Sequence, residues 1–408
     1  MQNHAQHPLF KRYLYRLLWI IFVLTVLGAG AWVSLAFWVQ LPLSNMAKYI
    51  AIAAWWSLTT ALLISLFYHL KNEYLKQKTL NNHSLQGGYF GSENHSTAPH
   101  VSQHQSHVPT THQSSRQLPV KTRFYQKLFV YVIGLVGVLI WWQTIEPQQN
   151  RAWAEDVSRQ VQVGQQGNMV TLHNVRDFDW RTETDFSPRW ETRQYDLNQL
   201  SSLDVITSYW MGPEIAHVLL SFGFDNGDYL TFSIETRREK TESFSTIGGF
   251  FREYELTLIA ADERDIIYTR TNVRGEQVYL YRMDLAKKNI RHLFESYLDE
   301  AQQLKQKPRF YNTLTSNCTT VVFDMAKLID PGLPADYRII LSGYLPEYIH
   351  DHHGFDPRIP FAKLKARAHI NPYAAQYAKS ANQSSRAFSA AIRQGMIKPV
   401  QSSQTTQP

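Results

Sequence analysis

The stretch from Ile215 to Glu235 reads IAHVLLSFGFDNGDYLTFSIE, with two runs of β-forming residues around the sequence Asp225-Asn-Gly-Asp228. An Asn-Gly pair between two such runs is a strong hairpin signal. Further β-rich runs flank this hairpin, and residues Asp284 to Lys305 place their apolar side chains on one face of a helix. Strands followed by helices predict an α+β domain in which helices pack on an antiparallel sheet.

His217 lies inside the apolar first run of the hairpin, where an unpaired imidazole would be costly to bury. It is either a core histidine satisfied locally or a general base. A three-residue turn would place Glu235 opposite His217, whereas a two-residue turn would shift the register and direct Glu235 away. Glu235 is therefore a candidate for orienting the imidazole, and its alternative role is a surface ion pair with Arg237 or Arg238.

Cys318 is the single cysteine of the chain and follows a polar stretch that ends at Asn317. Asn317 is a good N-cap, and apolar residues recur at helical spacing after it, so Cys318 is predicted to open a helix. A helix N-terminus stabilises a thiolate, which is the nucleophilic form of cysteine. The alternative is a cysteine that packs as a small apolar residue. The N–H of Asn317 or of Cys318 is a candidate for holding an oxyanion.

Three apolar runs precede this domain, at about residues 14–39, 49–68 and 124–142. Each can supply the roughly 20 residues that cross a bilayer as a helix. Lysine and arginine residues lie before the first run and in the loop between the second and third runs. The positive-inside rule therefore predicts a cytoplasmic N-terminus, with everything after about residue 145 outside the cytoplasm.

These patterns divide the chain into a membrane region (1–145), a soluble domain (146–380) and a C-terminal tail (381–408). The membrane region includes a loop at 75–120 that is rich in His, Ser and Gln and is predicted to be a disordered linker. Its histidines could alternatively bind metal. Their spacing is irregular, so no metal is predicted, and no phosphate or dinucleotide motif points to a cofactor. The net charge of +7 comes without a basic stripe with interleaved aromatics, so no nucleic-acid partner is expected.

Several ordered segments of the soluble domain resemble one bacterial family, the Lnb N-terminal periplasmic domain family. The resemblance covers about 200 residues, so it is carried by many matches in order along the chain. The segments are Ile215–Phe224, Phe232–Lys240, Tyr254–Leu258, Asp262–Asp265, Thr271–Asn272, Ser316–Thr320, Leu333–Asp336, Leu341–Pro346 and Arg367–Ile370.

This resemblance implies a fold and a chemistry. The family's name-giving member is a lipoprotein N-acyltransferase that is thought to use a cysteine and a histidine, which map here onto Cys318 and His217. The domain is also similar to permuted papain-type or NlpC/P60-type hydrolases, in which the histidine precedes the cysteine. A bacterial family places the soluble domain in the periplasm and the helices in the inner membrane. In this chain the helices precede the domain, whereas in the name-giving member they follow it.

The resemblance, together with the apolar helices, thus implies membrane-anchored, cysteine-dependent acyl transfer on lipoprotein or phospholipid substrates, with membrane lipids or lipoproteins as partners. Arg237 and Arg238 are candidates for contacting an anionic head group, and their alternative is a solvated strand end. Two other functions stay open. One is a peptidoglycan amidase or peptidase that uses the same Cys–His pair, and the other is a non-catalytic scaffold of the cell envelope. The oligomeric state is left open.

Overall fold

The structure is a computed structural model that describes residues 7–86, 120–381 and 383–397. The chain divides into two compact units, with the boundary between Glu146 and Pro147. The first unit is helical, and the second contains the β-sheet.

The first unit consists of the helices α1 (His7–Gln40), α2 (Asn45–Gln86) and α3 (Val120–Gln143). Each contains a span long and apolar enough to cross a membrane. This confirms the prediction of three long apolar N-terminal helices. Because α2 continues to Gln86, the first part of the linker predicted at 75–120 is helical. The rest of that linker, including most of its histidines, lies outside the described residues.

Small residues bring these three helices together. A Cβ atom on Gly30 would lie 3.2 Å from the ring of Trp56, and one on Gly134 would lie 3.2 Å from the ring of Trp55. Membrane helices commonly meet at such small residues because glycine lets the neighbouring side chain approach closely. The Tyr131 hydroxyl donates a hydrogen bond to the backbone carbonyl of Val26 at 3.1 Å, which ties α3 to α1.

The second unit contains ten strands and eight α-helices within the described residues. The strands are β1 (Gln162–Gln166), β2 (Met169–Arg176), β3 (Asp179–Trp180), β4 (Phe186–Ser187), β5 (Trp190–Asp196), β6 (Leu200–Tyr209), β7 (Ala216–Phe224), β8 (Tyr229–Arg237), β9 (Glu255–Ala261) and β10 (Gln277–Arg282). The helices are α4 (Thr246–Phe250), α5 (Glu263–Tyr268), α6 (Lys287–Gln306), α7 (Thr320–Ile329), α8 (Leu345–Asp351), α9 (Phe361–Ala368), α10 (Asn371–Ala378) and α11 (Ser385–Ala391).

Eight strands form one sheet in the order β1-β2-β9-β8-β7-β6-β10, with β5 paired to β2 off this path. Its neighbours are antiparallel except for the parallel pair of β2 and β9. The mixed α+β class predicted from the sequence is confirmed. Its likeness to papain-type or NlpC/P60-type domains stays a prediction.

Helices cover both faces of the sheet. On one face, Phe222 and Phe232 pack against Phe294 and Tyr297 of α6, and α7 belongs to the same core. The other face packs against α5, α10 and α11 through a second apolar cluster. Because strand side chains alternate between faces, odd-numbered residues of β7 such as Leu219 belong to this second face.

The folded unit extends beyond residue 380, the predicted end of the soluble domain. Phe388 of α11 and the following Ile392 are fully buried in the second core. The buried Arg393 donates hydrogen bonds to the carboxylates of Asp204 and Glu263. Apolar and charged side chains between Phe388 and Arg393 therefore pack against the sheet, although these residues belong to the predicted tail.

The N-terminal part of the second unit also belongs to the domain. The Gln148 N–H donates to Oε1 of Glu255 at 2.9 Å, and the Gln149 side chain donates to the Leu304 carbonyl at 2.8 Å. Trp153 forms a β-bridge with a residue just beyond β8. The segment that follows α3 is thus hydrogen-bonded to the domain from Gln148 onward.

Candidate functional site

The β7–β8 turn determines which side chains face His217. Phe224 and Asp228 are joined by a backbone hydrogen bond of 2.9 Å, with three residues between them, and Gly227 has a φ of +86°. The left-handed conformation at the last turn position suits glycine, as in hairpins with a three-residue loop. This is the turn length that directs Glu235 towards His217.

Cys318 lies in the turn before α7 and not in its first helical position, because α7 begins at Thr320. The Asn317 side-chain oxygen accepts hydrogen bonds from the N–H groups of Thr319 (2.8 Å) and Thr320 (3.0 Å). The Asn317 carbonyl accepts from the N–H of Val321. Asn317 therefore does cap this turn, and its side chain holds Cys318 just ahead of the helix.

The structure brings Cys318 to His217. His217 and Cys318 line the same cavity, and each side chain shifts the pKa of the other. The Thr319 hydroxyl is 3.9 Å from the same sulfur. Cys318 is buried, and the paired residues of β7 and β8 end at Leu219 and Ser233. The thiol therefore lies at the end of the β7–β8 pairing, beside the His217 ring.

Ser233 and Glu235 hold the other side of the imidazole. Nε2 of His217 is 2.7 Å from the Ser233 hydroxyl and 3.2 Å from Oε1 of Glu235. The Ser233 hydroxyl donates to Oε1 of Glu235 at 2.7 Å. Since that hydroxyl proton points to Glu235, the serine oxygen accepts the proton of Nε2. Nδ1 is then the ring nitrogen available to Cys318.

The same contacts control the charge of His217. Burial disfavours the imidazolium, but the Glu235 carboxylate and the Cys318 sulfur favour it, so the pKa of His217 is raised to about 9. Burial likewise opposes the charged form of Glu235. The neighbouring His217 and Arg270 outweigh it and hold the pKa of Glu235 well below its usual value.

The pKa of the Cys318 thiol shifts in the opposite direction to that of His217. Burial alone would raise the pKa of Cys318, but the charge and hydrogen bond of His217, together with the Val218 N–H and the Thr319 hydroxyl, lower it. A raised imidazole pKa and a lowered thiol pKa both favour a thiolate–imidazolium ion pair at neutral pH. This is the form in which a cysteine is nucleophilic.

Arg270 extends the network beyond Glu235 and was not identified from the sequence. It lies in a π-helical turn, Thr269–Val273, that directly follows α5. Its guanidinium donates to Oε1 of Glu235 at 3.0 Å and to Oε2 of Glu276 at 3.4 Å. Glu276 also accepts a hydrogen bond from the hydroxyl of Ser208, the residue that pairs with His217 across β6 and β7. The arginine thus anchors the carboxylate that faces the imidazole.

These groups border one cavity of about 860 Å³. That volume lies within the range of roughly 300–1,000 Å³ typical of small-molecule sites. Cys318 and His217 line it together with Glu235 and Arg270. Its remaining walls are mixed, and apolar side chains such as Trp210 and Phe244 stand beside arginines and carboxylates. The cavity can accommodate a substrate with both an apolar and a polar part.

Arg237 and Arg238, the two candidates for binding an anionic head group, differ in their contact with the cavity. Arg237 is buried, donates to the carbonyls of Val157 and Ser158, and stacks 4.5 Å from the Trp153 ring. It is not among the residues that line the cavity in the described part of the chain, and burial lowers its pKa to about 10. Arg238 does line the cavity and donates to the carboxylate of Asp156.

The N–H groups of Asn317 and Cys318, the two candidates for holding an oxyanion, differ in their hydrogen bonding. The Asn317 N–H donates to the Thr320 hydroxyl at 2.9 Å, and the Asn317 side-chain amide donates to the Thr313 carbonyl at 2.8 Å. Its polar groups are therefore engaged in holding the turn. The Cys318 N–H has no hydrogen-bond partner among the described residues and remains the better candidate.

Metal binding has no support within the described ranges, where no group of three or more His, Cys, Asp or Glu side chains is placed to hold a metal ion.

Residues 186–343 match the family model of the Lnb N-terminal periplasmic domain. The match includes His217, Glu235 and Cys318, and it confirms the family resemblance found in the sequence. No curated protein and no solved structure matches the chain.

Proposed function

Since residues 186–343 belong to the Lnb N-terminal periplasmic domain family, we propose that this membrane protein carries out cysteine-dependent acyl transfer in the cell envelope. The matched family and the three apolar helices fit a membrane protein with a periplasmic domain. The acyl chemistry is the proposal. The observation that carries it is the placement of Cys318 beside His217 on the wall of one cavity.

In the first half-reaction the Cys318 thiolate attacks the ester carbonyl of an acyl donor. The oxyanion that develops is placed near the Cys318 N–H. As the C–O bond breaks, the His217 imidazolium gives its proton to the departing alkoxide. The products are a thioester on Cys318, an alcohol and a neutral imidazole.

In the second half-reaction an amine attacks the thioester carbonyl, and His217 takes the proton that the nitrogen loses. The C–S bond breaks, and the products are an amide and the thiolate–imidazolium pair with which the cycle began. Water in place of the amine would give a free fatty acid. Ser233 and Glu235 keep the imidazole in the orientation that both steps need, and Glu235 stabilises its positive charge.

The proposed partners are membrane lipids or lipoproteins, because a phospholipid supplies the ester and the cavity has both apolar and charged walls. We assign a negatively charged head group to Arg238, because Arg238 lines the cavity whereas Arg237 does not and is engaged by backbone carbonyls. We propose an N-terminus in the cytoplasm and the second unit in the periplasm, on the basis of the lysines and arginines around the helices.

The direct test is intact-mass spectrometry of the full-length protein in mixed micelles with a phospholipid. We expect a fatty-acyl mass on Cys318, which is lost on adding an amine acceptor. Cys318→Ala should give no adduct, and His217→Ala should form it roughly 10²–10⁴ times more slowly. Absence of the adduct together with cleavage of muropeptides would assign the pair to a peptidoglycan hydrolase. An unreactive thiol without either activity would favour the scaffold.

A further inference from the structure

Five large apolar side chains stand exposed where the cavity opens. They are Trp210, Met211, Phe244, Leu314 and Ile340, and each also lines the cavity. Between 46% and 62% of each of these residues is exposed. Single exposed apolar residues are ordinary, but a group of them around one opening marks an interaction surface. We call these five residues the apolar rim.

The apolar rim is assembled from four separate segments. Trp210 and Met211 lie between β6 and β7, and Phe244 lies just before α4. Leu314 is in the turn ahead of Cys318, and Ile340 follows a short helical turn that ends at Ile339. Because these segments are distant in sequence, the composition of one loop does not account for the cluster.

The chain itself indicates what covers the apolar rim. Its three N-terminal helices are long and apolar enough to span a bilayer. Only residues 144–147 join the last residue of α3, Gln143, to Gln148, which is hydrogen-bonded to Glu255. A connection of that length spans at most about 18 Å when fully extended. A bilayer is therefore an apolar phase that stays within reach of the second unit.

The composition of the rim suits a bilayer surface. Trp210 combines a large apolar ring with one N–H donor, a combination that favours the interface between lipid and water. The neighbouring Met211, Phe244, Leu314 and Ile340 are wholly apolar and can enter the region below the head groups.

We propose that the apolar rim inserts into the lipid bilayer and brings the mouth of the cavity to the membrane surface. A lipid could then enter the cavity without its acyl chains crossing water. This proposal does not depend on the thiol chemistry, since an inactive Cys318 variant should bind in the same way.

The test uses the full-length protein with one chain per lipid nanodisc. Cys318→Ser removes the only cysteine, and a fluorophore is then placed on Phe244→Cys in the rim. The control is Lys288→Cys, at an exposed residue of α6 that does not line the cavity. Lipids with a spin label in the acyl chain quench only fluorophores that enter the bilayer.

We expect quenching of at least several-fold for the label at residue 244 and little for the label at residue 288. Replacing Leu314 and Ile340 by Glu in the labelled protein should reduce the quenching. Equal quenching at both positions, or none at 244, would overturn the proposal. So would a spectral change at 244 that occurs only with two chains in one nanodisc, because that result would assign the rim to a contact between copies of the protein.

Discussion

The hydroxyl of Ser233 lies 2.7 Å from Nε2 of His217, closer than the 3.2 Å that separates this nitrogen from the Glu235 carboxylate. Because the hydroxyl donates to Glu235, it can only accept from His217 in this arrangement. Ser233 therefore sets which ring nitrogen carries the proton and leaves the other nitrogen for the thiol.

Removal of this hydroxyl should slow reaction at Cys318. A hydrogen bond to a charged group contributes about 1.5–3 kcal/mol, so we expect Ser233→Ala to reduce the rate of thioester formation roughly 10- to 100-fold. We expect kcat to fall while KM stays nearly the same, because Ser233 acts on the imidazole and not on the substrate.

Thr231→Val is the matched control for Ser233→Ala. Thr231 is buried on the same strand and the same face, and its hydroxyl has no hydrogen-bond partner among the described residues. Its replacement should leave the rate unchanged. Equal losses in both variants would mean that the strand, and not the hydroxyl at position 233, is what matters.

The charge of Glu235 should control the pH dependence of the thiol. In the native protein the thiolate–imidazolium pair persists from the lowered pKa of Cys318 up to about pH 9, where His217 loses its proton. In Glu235→Gln the carboxylate is gone while burial still disfavours the imidazolium, so the pKa of His217 falls and that of Cys318 rises.

The rate of iodoacetamide alkylation of Cys318, measured from pH 5 to 10, checks this expectation. The variant should need a higher pH than the native protein to react at half its maximal rate. Glu295→Gln, at a partly buried residue of α6 that pairs with Arg291 and does not line the cavity, should not shift the curve. An unchanged profile in Glu235→Gln would mean that Glu235 does not stabilise the imidazolium.

Parts of this site can be predicted from local sequence patterns. The Asn-Gly turn indicates the hairpin, a histidine in an apolar strand attracts attention, and Asn317 before an apolar helical pattern places Cys318 near a helix start. The length of the turn could not be chosen from sequence, because Asp225-Asn-Gly-Asp228 is compatible with two registers. One backbone hydrogen bond, between Phe224 and Asp228, distinguishes them.

Other parts depend on tertiary contacts that have no local signal. Arg270 reaches Glu235 from a π-helical turn, and that turn depends on how α5 packs. Arg237 is buried because the segment around Trp153 folds over it, and no local pattern in the sequence indicates that contact. These contacts give Arg237 and Arg238 different environments, although the sequence makes both of them candidates for binding an anionic head group.

This separation gives a prediction about stability and substrate binding. Arg237→Ala removes hydrogen bonds to Val157 and Ser158 and the stacking on Trp153, so it should lower the free energy of unfolding by about 2–3 kcal/mol. Arg238→Ala loses a partly exposed ion pair with Asp156 and should cost less than about 1 kcal/mol.

Substrate binding should be affected more by Arg238→Ala than by Arg237→Ala. Arg238→Ala should raise the KM for anionic lipid more than for zwitterionic lipid, because Arg238 lines the cavity. Arg237→Ala should leave the ratio of these two KM values unchanged in the protein that remains folded. Thermal unfolding and initial rates on both lipids measure the two effects, and a stable Arg237→Ala protein with altered lipid preference would contradict the assignment.

The orientation of the membrane unit has a separate test. A reporter enzyme that is active only outside the cytoplasm should be active when fused after Pro408. The same reporter inserted in the polar loop after His100 should be inactive, because the lysines and arginines around that loop favour the cytoplasm. Activity of the loop fusion and inactivity of the C-terminal fusion would reverse the topology.

Gly343 should be essential for the wall of the cavity beside His217. The Ser342 hydroxyl donates to the Ala216 carbonyl at 2.6 Å and accepts from the Ala216 N–H at 3.0 Å. A Cβ atom on Gly343 would lie 2.0 Å from the Pro213 carbonyl oxygen, a distance that backbone atoms cannot tolerate. Gly343→Ala must therefore push this segment away from the start of β7.

We expect Gly343→Ala to cost about 1–3 kcal/mol, which lowers the melting temperature by roughly 2–4 °C per kcal/mol. Because Ala216 directly precedes His217, alkylation of Cys318 should also become slower at neutral pH. Gly164→Ala is the control, since a Cβ there has its nearest neighbour at 3.9 Å. A Gly343→Ala protein with native melting temperature and native thiol reactivity would show that the segment yields without affecting His217.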